Sequence, residues 1–89
     1  MNNSQEKISI LRNDSLSDIF SKISTKDSGK DLYLEIEEDS VLRHYINTKL
    51  LLSRFPNRKI IFVSADTVLK KIAEGLGIKF FFKNVKAQA

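Results

Sequence analysis

Carboxylates and hydroxyls gather at three places in this chain: Asn13-Asp14-Ser15, Glu37-Glu38-Asp39-Ser40 and Ser64-Ala65-Asp66-Thr67. Each follows an apolar segment and precedes a helical pattern. Side chains of this kind do one of two things there. They cap helix N-termini, because a side-chain oxygen accepts from the first free backbone N–H groups. Alternatively, gathered in space, they hold Mg²⁺ through oxygen ligands, as receiver-like domains do. The strand-end candidates for such a site are Asp14, Glu37, Glu38, Asp39, Ser64 and Asp66. Glu37-Glu38-Asp39 would repel a phosphate unless a cation came between them.

Other chemistry finds less support. The chain has no Cys, which excludes disulfides, thiolate zinc sites, iron–sulfur clusters and a cysteine nucleophile. One His (His44) excludes a multi-histidine metal site, and it stands beside Arg43 with no carboxylate placed to orient it as a base. No Gly-x-Ser-x-Gly turn occurs. The three glycines are Gly29, Gly75 and Gly77, and none lies between a strand and the helix after it, where a phosphate cradle needs close backbone approach. No catalytic residue is assigned, no cofactor or metal is expected, and the chain does not read as an enzyme.

The elements that position these groups follow from periodicity. Residues 1–6 read as a disordered N-terminus, residues 7–83 as a single α/β domain, and residues 84–89 as a tail or the start of a linker. Ile8, Ile10 and Leu11 make a short apolar segment that could form a first strand, the fourth of the sheet. Ser15 and Asp18 have capping-box spacing, and Leu16, Ile19, Phe20 and Ile23 form one helical stripe. Asp31 to Ile36 alternates with the strand period. A second helix is expected from the Asp39/Ser40 cap through Phe55, where Pro56 stops it. Its wheel puts Val41, Leu42, Tyr45, Ile46, Leu52 and Phe55 on one face, with Leu50 and Leu51 on the flanks. Lys49 falls inside that apolar arc, from where it could reach Glu35 or Glu37.

Lys59 to Val63 is a nearly unbroken apolar run, the pattern of a strand covered on both faces. Val68, Leu69, Ile72, Ala73 and Leu76 stripe a third helix, Gly77 ends it, and Ile78 to Phe82 is the last strand. Strands alternating with helices imply a parallel sheet with right-handed crossovers. The expected architecture is a small three-layer flavodoxin-like sheet of three or four strands with three helices. The strand beginning at Asp31 or the one at Lys59 should be central.

Charge separates along the chain. Residues 1–40 hold nine acids and five bases, residues 41–89 two acids and ten bases. Such a dipolar molecule can pair head to tail or meet a charged partner. Arg54, Arg58, Lys59, Lys70, Lys71, Lys79, Lys83 and Lys86 with Phe80–Phe82 keep nucleic acid open as a partner. Against it, phenylalanines in a strand alternate between faces, and the bases follow no single stripe. The interaction candidates are Leu50, Leu51, Lys49, Asn47, Arg54, Arg58, Lys70 and Lys71. The longest apolar runs are too short to cross a membrane, so a cytoplasmic domain is expected.

One resemblance adds to this. Asp14-Ser15-Leu16 opens a helix, and a strand leads through Ser40 to Asn47-Thr48-Lys49-Leu50-Leu51. Lys59-Ile60-Ile61-Phe62-Val63-Ser64-Ala65-Asp66 then precedes Ile72-Ala73 and Leu76-Gly77-Ile78. From Ile10 to Phe82 this phrasing resembles the N-terminal α/β domain of uncharacterised baseplate J-like proteins from candidate bacterial phyla. In that family the domain tends to precede a linker, a membrane span and further domains. The resemblance implies an assembly or scaffold role without catalytic residues, in a stand-alone relative or an excised N-terminal domain. Three readings result: a non-catalytic protein-interaction or assembly module, a nucleic-acid-binding domain using the basic half, and a receiver-like Mg²⁺-binding domain.

Overall fold

Local signals set most of the element boundaries. The Ser15 hydroxyl accepts from the Asp18 N–H at 3.0 Å while the Asp18 carboxylate accepts from the Ser15 N–H at 2.9 Å. These reciprocal bonds start helix α1 (Leu16–Ser24), which buries Ile19 and Ile23. Asp66 likewise starts α3 (Thr67–Leu76), accepting from the Val68 and Leu69 N–H groups. At the other end of α3, Gly77 turns left-handed (φ +76°), and the Ile78 N–H donates to the Ala73 carbonyl at 2.8 Å. That closure leaves the last helical carbonyls satisfied.

The computed structural model describes residues 5–26 and 29–83, with strands β1 (Gln5–Ile10), β2 (Asp31–Ile36), β3 (Ile60–Ser64) and β4 (Lys79–Phe82). Gln5 and Glu6, expected in a loose N-terminus, belong to β1, and Glu6 sits within 3.9 Å of Lys26 and 3.7 Å of Lys30. Residues 1–4 and the expected tail at 84–89 lie outside the described residues. The α/β class with four parallel strands and three helices is as the alternation predicts. Both β2 and β3 are central.

Layering is where the structure departs from expectation. The strands stand in sequential order, β1-β2-β3-β4, all parallel. Right-handed crossovers between successive neighbours put every helix on the same side of the sheet. Accordingly α1 packs on α2 (Tyr45–Arg54) and α2 on α3. One core joins Ile8, Ile10, Leu32, Leu34, Ile36, Ile60 and Phe62 to Ile19, Ile23, Leu51, Leu69 and Ala73 of the helices. All those strand residues point to one face. The expected third layer is absent among the described residues, leaving two.

The second helix is also corrected. A 3₁₀ turn (Val41–Arg43), capped by the Ser40 hydroxyl, comes first. His44 is extended (φ −113°, ψ 127°), and α2 starts after it. Two side chains accommodate the break. Asn47 Nδ2 donates to the Val41 carbonyl at 2.9 Å, and the Thr48 hydroxyl donates to the Leu42 carbonyl at 2.6 Å. Because the break resets the helical phase, Thr48 and Leu51 are buried, whereas Tyr45, Ile46 and Leu50 face outward.

Candidate functional site

At the carboxyl ends of the strands the acids are committed to the fold. Asp66 is buried and bonds to the Asp39 N–H (3.1 Å), the Val68 and Leu69 N–H groups, and Arg43 Nε (3.0 Å). Burial pushes its pKa up, but the N–H groups of Asp39 and Leu69 together with the Arg43 guanidinium outweigh that and hold it below the usual carboxylate range. The Asp39 backbone takes a positive φ of 67°, and its carboxylate lies 3.5 Å from Arg43. Ser64 donates to the Ile36 carbonyl at 2.7 Å. Asp14 is held low by the Lys22 ammonium at 2.6 Å and by the Leu11 N–H. Glu37 accepts from the Arg12 N–H at 2.7 Å, and the Glu38 carbonyl accepts from Arg12 Nε.

So the structure brings Asp39, Ser64 and Arg43 together around Asp66 as a capping network and places Asp14 apart with Lys22. Among the described residues no three His, Cys, Asp or Glu side chains gather to hold a metal ion. A cleft of about 340 Å³ opens at this end, lined by Arg12, Glu35, Glu37, Glu38 and Lys83 among others. It is not a switch-point crevice. Such a crevice forms where neighbouring crossovers leave in opposite directions, and sequential strand order has no such point.

The interaction candidates scatter. Leu51, expected on an exposed flank, is fully buried, while Leu50 is exposed. Asn47 is spent on the Val41 carbonyl. Lys49 does not reach Glu35 or Glu37; its amine stands 5.9 Å over the Tyr45 ring, and Glu35 faces Lys7 at 3.5 Å. Arg54 lies over the Phe55 ring, and Lys70 pairs with Glu74. Lys71 is exposed, and Arg58 lines a hollow with Lys59 and Lys79. The charge separation proves to run along the strand axis. Lys26, Lys30, Arg54, Arg58, Lys59 and Lys79 lie at the amino ends with Glu6 and Asp31. Asp14, Asp18, Glu37, Glu38, Asp39 and Asp66 lie at the carboxyl ends with Arg12, Arg43 and Lys83, so the separation is a bias at each end. Helix dipoles explain this: C-termini gather at the first end and favour bases, N-termini at the second and favour acids.

The surface that the sequence reading missed is the other face of the sheet. Register aligns Lys7, Tyr33, Ile61 and Lys79 in one row and Ser9, Glu35, Val63 and Phe81 in the next. Among the described residues no helix covers these rows. The Tyr33 and Phe81 rings stack at 6.5 Å, reaching across β3, and Lys79 Nζ stands 5.5 Å over Phe81. Ile61 is outside the helix-side core, yet only 1% exposed, because neighbouring strands roof it with rings. Phe81 itself remains 45% exposed. A signal existed: polar or charged residues separate the apolar ones in Lys7–Ile10 and again in Asp31–Ile36, marking one face as uncovered. The continuous run in β3 pointed the other way.

Fold and surface together define a two-layer α/β domain with an open parallel sheet. No family model, curated protein or solved structure matches the chain significantly.

Proposed function

We propose that this domain is a non-catalytic assembly module that docks a protein surface, a second copy of the chain, on the open face of its sheet. The observation that carries the reading is the strip Tyr33, Ile61, Val63 and Phe81, apolar and helix-free on a sheet whose strands are all parallel. Parallel sheets otherwise occur with both faces covered, since neither face is then left to water. Phe81 is exposed, Tyr33 and Val63 are half-buried and Ile61 is buried, and an apolar patch rimmed by charge is characteristic of interaction sites. Here Lys7, Glu35 and Lys79 form that rim. The resemblance to the N-terminal domain of baseplate J-like proteins, with its implied scaffold role, supports the same reading. A cytoplasmic setting is part of that reading.

Sedimentation velocity of the purified chain tests the proposal, at low and high salt and up to millimolar concentration. Association should rise with concentration, persist in high salt because apolar burial drives it, and vanish in Phe81→Lys. A strict monomer in both salts overturns the reading. So does binding to a short single-stranded nucleic acid that falls steeply with salt while the chain itself stays monomeric, since that places the function on the basic amino ends of the strands.

A further inference from the structure

The chain carries a second unpartnered apolar surface, and it lies on the opposite side of the molecule. On α2 the residues Tyr45, Ile46, Lys49, Leu50 and Ser53 form one outward stripe, opposite the buried Thr48 and Leu51. Ile46 is 62% exposed, with Tyr45 and Leu50 close to half. As the helix that packs on both α1 and α3, α2 is the middle of its layer, just as β2 and β3 are the middle of the sheet.

We infer that these two surfaces are each other's partners in different copies: the α2 stripe of one molecule packs on the open sheet face of the next. The inference rests on the reading of the sheet face above and names what covers it. Helices are what parallel sheets bury themselves under. The dimensions agree, because the ten residues of α2 span about 15 Å and the strands they would cover about 17–20 Å. Charge disfavours two of the symmetric pairings. No acid occurs between Asp39 and Asp66, so two α2 stripes face to face set Lys49 against Lys49. A two-fold axis along the strands lays Lys7 of one sheet over Lys79 of its mate. Stripe on sheet instead offers Lys49, whose amine stands over the Tyr45 ring, the Glu35 carboxylate, which Lys7 reaches only at 3.5 Å, and the start of β2 at Asp31. Each interior copy then gains its missing third layer. The contact is heterologous and does not close on itself, so it propagates as an open stack.

The test uses two full-length variants, Phe81→Lys to block the sheet face and Ile46→Glu to block the stripe, both at exposed positions, with folding checked by circular dichroism. Wild type should sediment as a series that grows with concentration. Each variant alone should be monomeric, and an equimolar mixture should form a one-to-one dimer and nothing larger, because one intact stripe meets one intact sheet. If the mixture stays monomeric, or if Ile46→Glu still self-associates while Phe81→Lys does not, stripe-on-sheet packing is overturned while the sheet-face reading stands. A monomeric wild type overturns both. Leu50→Glu with Val63→Lys is the second pair should either first variant fail to fold.

Discussion

The rings of Tyr33 and Phe81 stack 6.5 Å apart and 13° from parallel although one residue stands on β2 and the other on β4. They meet across β3, and Ile61 beneath them is buried with no helix above it. Two aromatic side chains thus do part of what a missing layer would do. What they leave exposed is the surface proposed here for assembly.

That surface and the helix-side core should differ sharply in energetic weight. Phe81→Ser removes a half-exposed ring and should lower stability by about 1 kcal/mol. Phe62→Ala, in the fully buried middle of β3, should cost about 3–5 kcal/mol. Urea denaturation curves of the two variants check this, and comparable losses would mean that the open face is a second core.

The break at His44 depends on Thr48. Thr48→Val keeps the shape but leaves the buried Leu42 carbonyl without its donor, at a cost of about 2 kcal/mol. Thr48→Ser retains the hydroxyl and should lose less, roughly the value of one buried methyl. Thermal melts should rank wild type above Thr48→Ser and Thr48→Ser above Thr48→Val.

Acid should destabilise the fold through Asp14 and Asp66, whose carboxyls sit below their ordinary values when folded. As pH falls, the unfolded chain takes up protons first, so the stabilisation is complete above the ordinary carboxylate pKa of about 4 and is lost progressively below it. Urea midpoints followed into that range should drop. The acid limb should flatten in Asp14→Asn and in Asp66→Asn, and an unchanged slope in both contradicts the assignment.

Two glycines of the same helix end should respond with opposite signs. Gly75 lies within α3 in open space, so Gly75→Ala should stabilise by about 0.5–1 kcal/mol. Gly77 also has space, but its left-handed backbone penalises any side chain, and Gly77→Ala should cost about 1 kcal/mol. Differential scanning calorimetry of both variants reads the difference directly.

Much of the site region was legible because capping is a local matter. Ser15, Ser40 and Asp66 each act within three residues of themselves, and their spacing alone announces where α1, the 3₁₀ turn and α3 begin. Leu51 was misplaced because a wheel drawn from Val41 assumes one unbroken helix. The carbonyls that permit the break are satisfied by Asn47 and Thr48, six residues further on. Lys49 moved to the outside with the same change of phase.

By itself the amino-acid sequence determined the order of strands and helices, their caps and the stop at Gly77, which follow from short-range hydrogen bonding and periodicity. It also determined the parallel direction of the strands, which follows from helices alternating with them. Only the tertiary structure decided that the strands stand in sequential order and that all three helices share a side. Periodicity records whether a position is apolar, not what covers it. In β3 the apolar residues of one face lie under helices, and Ile61 on the other lies under rings from β2 and β4, so the same unbroken run serves two different environments.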